Sequence, residues 1–394
     1  MKSALLKNYN RYPIEFVKGK GCYLFDKNGK EYLDFLSGIA VTGFGHQHPT
    51  ITDVANKQLG KLWHVSNLFE STPQNELATK LTKATKMDSV FFCNSGTEAN
   101  EAAIKFARKW GNDRKTIIVA NGSFHGRTMG SLSASGQSKL WTGFTPVLPG
   151  FTFVDFDNIE QIKNRIDKTT CAIMVEPIQG ESGVIVPDEN YLIELKKLCI
   201  KNNLLLILDE VQSGMGRTGK LFVHQYFNII PDILTSAKGI ANGLPLGATI
   251  CSKRVADVIK PGDHGSTFGG NPIAIAVANN VMELLSDLQL KYILSAGNQI
   301  KELLVKLKNP LIKTVRGKGL FIGVEFTEPI AKIIAKELLN EGVVVGNSGD
   351  SVLRILPPFI ITSDDIHYFA KIFTSVLLMF SFSKRSSDIS NTNY

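Results

Sequence analysis

The sequence predicts an α/β fold in which helices cover both faces of a sheet, and three observations carry that expectation. Short apolar runs alternate with helix-like stretches along most of the chain. The runs are apolar throughout, as in strands buried on both sides. The 394 residues, 43% hydrophobic and 20% charged, have a globular composition and a length for roughly two to three domains, which excludes disorder and fibrous repeats.

The elements follow in order. Gly21 to Asp26, the turn Lys27-Asn28-Gly29-Lys30, and Glu31 to Asp34 read as a hairpin. Val90 to Cys93 reads as a buried strand, Ser95-Gly96-Thr97 as a turn, and Glu98 to Trp110 as a helix. Thr116 to Ala120, Ala172 to Glu176, Leu204 to Asp209 and Ile233 to Ser236 read as further buried strands. From about Asn271 a helix opens, followed by strand–helix alternation. The two ends differ from the middle. Residues 1–60 and 271–380 are therefore expected to build one small domain, with a large domain at 61–270 between them. The polar, serine-rich stretch 381–394 reads as a disordered tail.

The net charge is +8, but the lysines are spread along the chain. That is a solvated surface with a mild preference for carboxylate and phosphate ligands, and no nucleic-acid partner is expected. The five cysteines (Cys22, Cys93, Cys171, Cys199, Cys251) never form C-x-x-C, so reduced thiols and a cytoplasmic setting are expected. The apolar stretch near Leu5 is too short for a signal peptide, and the aliphatic run Leu204 to Leu208 is too short to span a bilayer. No membrane partner is expected.

Chemistry concentrates where apolar runs end. Asp209 closes one run, at the sheet edge where α/β enzymes place ligands. Lys238 follows another, flanked by Ser236, Ala237 and Gly239, small residues that leave room for a bulky group on its nitrogen. An acid and a lysine so placed are what pyridoxal phosphate needs: the lysine forms the Schiff base, and the acid keeps the pyridine nitrogen protonated. Taken alone, an Asp–Lys pair is more often a structural ion pair. Ser95-Gly96-Thr97 between strand and helix could seat a phosphate, and a simple helix cap fits it equally well. Phe124 could stack on a planar ring and Arg127 could grip a carboxylate; packing and a surface charge are the plain alternative. Gly214-Met215-Gly216-Arg217-Thr218-Gly219 matches a dinucleotide fingerprint, but no helix pattern follows it. His46-Gln47-His48 lies in a turn without a third ligand, so no metal is expected.

Several stretches together give the chain a family resemblance. They are Tyr9-Asn10-Arg11-Tyr12-Pro13, Gly38-Ile39-Ala40-Val41, Asn94 to Asn100, Phe124-His125-Gly126-Arg127-Thr128, Glu176 to Glu181, Leu208 to Gly219, Ser236-Ala237-Lys238-Gly239, Gly262 to Pro272, and Leu353-Arg354-Ile355-Leu356-Pro357-Pro358. From Tyr9 to about Ile361 the sequence resembles the class III (subgroup II) pyridoxal-phosphate aminotransferases, and within them the members acting on acetylornithine. The resemblance implies fold type I: a large domain with a mostly parallel seven-stranded sheet, and a small α+β domain from both termini. It also implies a homodimer with shared active sites. It makes Lys238 the Schiff-base lysine and Asp209 the partner of the pyridine nitrogen. Gln212 would bond the ring hydroxyl, and Phe124 would stack on the ring. Gly96 and Thr97 would hold the phosphate, with Thr267 of the second subunit. Arg127 and Ser266 would meet the acylated substrate, and Glu181 with Arg354 would switch between the two substrates.

The implied reaction moves the terminal amino group of N2-acetyl-L-ornithine to 2-oxoglutarate, a step of arginine biosynthesis. Succinylornithine, N-succinyl-diaminopimelate, ornithine and 4-aminobutyrate remain alternative donors. A non-catalytic binding protein on the same fold has no need of both Lys238 and Asp209. The chain departs from the family pattern at Thr42, where Asn is common, and at Ser213, where Thr is common. Ile39 stands where ornithine-using relatives tend to carry an aromatic residue.

Overall fold

A computed structural model describes residues 4–390, with side chains as far as Phe380. Strands β1 (Phe16–Lys20), β2 (Tyr23–Asp26) and β3 (Glu31–Asp34) open the chain. The β2–β3 hairpin forms as expected, with Leu24 opposite Tyr32. Asp26 closes its turn by accepting from the amides of Asn28 and Lys30 at 2.8 and 2.9 Å, which answers the turn's unpaired donors locally.

The middle of the chain holds seven strands: β4 (Ser89–Cys93), β5 (Thr116–Ala120), β6 (Phe151–Val154), β7 (Thr170–Val175), β8 (Leu205–Asp209), β9 (Ile233–Ser236) and β10 (Gly247–Cys251). They form one sheet in the order β4-β10-β9-β8-β7-β5-β6. Only β10 runs against its neighbours β4 and β9; the sheet is otherwise parallel, as expected. Alternate residues of each run serve opposite cores. Ile118, Ala120, Ile173, Val175, Leu206 and Leu208 pack with Tyr191, Leu192 and Leu195 of helix Tyr191–Lys201. Ile117, Val119, Ala172, Met174, Leu205 and Ile207 pack with Ala102, Ala103 and Phe106 of helix Gly96–Gly111. Two apolar faces explain why these strands lack the polar alternation of a half-exposed sheet.

Two further sheets lie outside the large one. Strands β11 (Ile312–Lys318), β12 (Phe321–Phe326), β13 (Val343–Val344), β14 (Gly346–Ser348) and β15 (Val352–Ile355) complete the set. β11, β12, β15 and β14 form one four-stranded sheet. β13 instead joins β1, β2 and β3, with Val343 opposite Leu33, so both ends of the chain share a sheet. The last helix runs Ser363–Ser390. The expected tail at 381–394 overlaps the end of this helix. Residues 391–394, the rest of that expected tail, lie outside the described residues.

All five cysteines are buried free thiols, and burial pushes Cys171 up to about 11. No single helix among the described residues is long and apolar enough to cross a membrane.

Candidate active site

The carboxyl ends of five of the parallel strands, β4, β5, β7, β8 and β9, converge on one cavity. Asp209 is the last residue of β8. Lys238 follows β9 after one residue. Gly96 and Thr97 begin the helix that follows β4, Phe124 follows β5 after a short loop, and Glu176 and Glu181 follow β7. Together with Arg127 and Gln212 these residues line a cavity of about 220 Å³. Arg354 of β15 reaches its edge, with Nη1 donating to Glu181 Oε1 at 2.5 Å.

Close approach explains the glycines. A Cβ on Gly96 would stand 2.6 Å from Val211 Cγ1, and one on Gly126 would stand 2.1 Å from Thr97 Oγ1. Gly126 also has φ +140, which only glycine adopts without strain. The first amides of a helix have no intrahelical partner, so Gly96 and Thr97 present donors to the cavity. Thr97 Oγ1 also accepts from the Arg127 amide at 3.2 Å, tying the two loops together.

Electrostatics sort the charged groups. Burial pulls the Lys238 ammonium down to about 8; Glu181 opposes that shift and Arg354 adds to it. Burial alone would raise the Glu181 carboxyl, but Arg354 and then Lys238 hold it below the ordinary value. Burial pushes the Glu176 carboxyl up, against the pull of His125. Glu176 accepts from the amides of Phe124 at 2.9 Å and Gly180 at 3.1 Å. Gln212 donates to Glu181 at 3.3 Å, and its buried Oε1 has no partner among the described residues. Arg127 lies at the exposed mouth, its guanidinium carbon 5.5 Å from the Phe124 ring centre.

Two residues that the resemblance assigns to the site, Ser266 and Thr267, are not part of this cavity within one chain. Ser266 and Thr267 line a separate cavity of about 400 Å³ with Asn94 and Glu98, and Asn94 Nδ2 donates to Ser266 Oγ at 3.1 Å. Within one chain neither meets Lys238. The resemblance had assigned Thr267 to the second subunit's site. His46 pairs with Asp34 at 2.9 Å. The glycine-rich stretch 214–219 is a turn with Arg217 buried inside the protein.

Sequence reading assigned no role to Asn100, His125 or Glu176, yet all three line the Lys238 cavity. Asn100 did leave a trace. It sits three residues after Thr97, on the same helix face, as a polar residue among Ala99, Ala102 and Ala103.

The cavity offers helix-end donors at Gly96 and Thr97, an acid at Asp209, an amine of lowered basicity at Lys238 and an unpartnered oxygen at Gln212. A planar, phosphate-bearing aldehyde fits that donor set, with the space beside Gly96 kept free of any Cβ.

Comparison with known proteins agrees. The model of the aminotransferase class-III family matches residues 5–377. The acetylornithine aminotransferase of Bacillus anthracis is 45% identical over 93% of this chain and 95% of its own length. The solved ornithine aminotransferase of Toxoplasma gondii, described with partial occupancy of pyridoxal phosphate at its active site, superposes with a TM-score of 0.91. It is 33% identical and covers 97% of this chain and 94% of its own. The N-acetylornithine aminotransferase of Stenotrophomonas maltophilia superposes with a TM-score of 0.84 at 33% identity, covering 95% of this chain and 98% of its own. A family model across nearly the whole length, a relative this similar and a sheet edge furnished in this way have one reading: the chain belongs to the class-III aminotransferases.

Proposed function

We propose that the chain is a pyridoxal-phosphate transaminase that takes the terminal amino group of N2-acetyl-L-ornithine and gives it to 2-oxoglutarate. The observation that carries the reading is the Glu181–Arg354 pair at the edge of the Lys238 cavity. A transaminase must bind two different carboxylates in one site, and a cation that its own neighbour can cover or release meets that need.

When bound, pyridoxal phosphate supplies an aldehyde that captures amines and a ring that takes up the electron pair left when a carbon loses its proton. The chain does the rest. The Gly96 and Thr97 amides would hold the phosphate at the helix end. Asp209 would hold the ring nitrogen by a charge-assisted hydrogen bond, Gln212 would meet the ring hydroxyl, and Phe124 would cover one face. Lys238 Nζ would hold the cofactor covalently and, once free, would take the proton from the amine-bearing carbon and return it on the cofactor side. Arg127, which makes no ion pair among the described residues, receives the distant α-carboxylate of the donor. Arg354 receives the α-carboxylate of 2-oxoglutarate once Glu181 withdraws. Ser266 and Thr267 join the site of a second copy in a homodimer. The five unpaired thiols suit a cytoplasmic setting.

Acetylornithine is favoured over ornithine because the acyl nitrogen is neutral. A free α-ammonium would lie unpaired beside Arg127, with the apolar Ile39 in place of a polar partner. Burying an unpaired cation is costly enough for a preference in kcat/KM on the order of 10²-fold or more. Steady-state kinetics with each donor and 2-oxoglutarate at one pH measures it. Ornithine matching its acetyl form would remove acetylornithine as the donor and leave the transaminase reading standing.

A further inference from the structure

Asp209 is buried, and this chain already grips its carboxylate before any ligand arrives. Asn100 Nδ2 donates to Oδ2 at 2.7 Å. His125 Nδ1 lies 2.7 Å from the same oxygen. The Val211 amide donates to Oδ1 at 3.0 Å. Both side-chain donors are themselves held. Thr235 Oγ1 donates to Asn100 Oδ1 at 2.8 Å, which fixes that amide with its nitrogen toward Asp209. Asn100 Nδ2 also donates to the His125 carbonyl at 2.8 Å, and the His125 amide donates to Ser135 Oγ at 2.9 Å. The imidazole is wholly buried. A carboxylate is acceptor-only, so Nδ1 carries a proton, and Nε2 has no partner among the described residues. The remaining carboxyl on this wall is Glu176, which is occupied by the Phe124 and Gly180 amides.

We propose that His125 is a positioning residue for the cofactor ring: with Asn100 it clamps Asp209 Oδ2 and fixes the direction in which the carboxylate would meet the ring nitrogen. The inference rests on the proposed binding of pyridoxal phosphate at Lys238. The geometry separates the two donors by consequence. Asn100 belongs to the helix whose first turn seats the phosphate, and His125 follows the ring platform Phe124. The clamp therefore ties the three parts of the cofactor seat, at phosphate, ring face and ring nitrogen, to one oxygen atom. A buried network of this kind strengthens its members only while every donor is present.

The test titrates apoenzyme with pyridoxal phosphate, reading the dissociation constant and the visible absorbance band, with thermal unfolding as the control for fold. His125→Leu removes the donor; His125→Asn places an amide nitrogen near the position of Nδ1. His125→Leu should weaken cofactor binding about 10-fold or more, the loss of one hydrogen bond to a charged group. It should also move the absorbance band, because a misdirected Asp209 holds the ring proton less firmly. His125→Asn should keep the wild-type band and bind within about threefold of wild type, since its donor remains. Should His125→Leu fail to fold, His125→Gln replaces it. That amide reaches the place of Nε2 and leaves Oδ2 with the Asn100 donor but without the His125 one, so it should behave as a loss. A loss variant with the wild-type constant and band overturns the proposal, and so does an Asn variant as damaged as the loss variant. Wild-type apoenzyme that takes up no pyridoxal phosphate, or that borohydride labels at a lysine other than Lys238, overturns the function reading instead.

Discussion

Lys238 shows at the residue scale how a fold tunes one amine. Its ordinary value near about 10.4 would leave almost no free amine at neutral pH, and burial brings it to about 8. The sign follows directly. Below about 8 the folded chain holds an ammonium that cannot attack an aldehyde, and above it the free amine predominates. The rate at which apoenzyme captures pyridoxal phosphate covalently should therefore rise with pH and level off above about 8. Stopped-flow absorbance between neutral and alkaline pH measures it. A midpoint near the ordinary lysine value would show that burial does not govern this group. Lys238 and Asp209 were legible in the sequence because each ends an apolar run. Asn100 and His125 were not, because their partner lies on a different strand.

The glycine-rich turn at 214–219 shows what an element can conceal. Its spacing imitates a nucleotide fingerprint, but its function is mechanical. Arg217 is 1% exposed, and its Nη1 donates to the carbonyls of Leu320 at 3.2 Å and Pro357 at 2.5 Å. Its guanidinium carbon lies 4.6 Å from the Phe359 ring centre. Burial lowers this cation to about 9, with Asp34 pulling the other way. The turn leads away from Gln212, and Pro357 follows Arg354 by three residues, so Arg217 joins the cofactor side of the site to the strand that carries its switch. Lysine keeps the charge but is more strongly hydrated and cannot lie flat on the Phe359 ring. Arg217→Lys should lower stability by about 2–4 kcal/mol through lost hydrogen bonds and an unmatched buried charge. Urea unfolding followed by circular dichroism measures it, and an unchanged midpoint would show that the planar guanidinium contributes nothing.

At the scale of the whole molecule, several exposed apolar side chains gather near Ser266 and Thr267. Trp63 is 66% exposed, Leu68 89%, Phe69 68% and Phe268 61%. Asn67 Nδ2 donates to the carbonyls of Ser266 at 3.1 Å and Gly269 at 2.8 Å, and the His64 and Phe268 rings lie 5.5 Å apart, so residues 63–69 and 266–271 form one patch. An exposed patch of this kind marks a contact surface, and in the proposed homodimer it would deliver Thr267 to the neighbouring Lys238. Hybrids test that sharing. Chains carrying Lys238→Ala mixed with chains carrying Thr267→Ala should form dimers with one doubly altered site and one intact site. Cofactor titration of the hybrid should recover a tight site that neither parent dimer shows. Failure to recover it would place Thr267 outside the shared site.

By itself, the sequence determined the sheet and the ends of its strands. A run apolar at every position can satisfy both of its faces only between two cores, and a polar residue that closes such a run must lie at the sheet's edge. It also identified the family, through motifs from Tyr9 to Arg354. Tertiary structure alone decided who meets whom. Glu181 reaches Arg354 across 173 residues of chain, Asn100 reaches Asp209 across 109, and Ser266 and Thr267 line a cavity apart from Lys238 of their own chain. Periodicity records which way a side chain points from its own strand, whereas the order of strands in the sheet, and so the neighbours across it, is settled by how the crossover helices pack over the whole molecule.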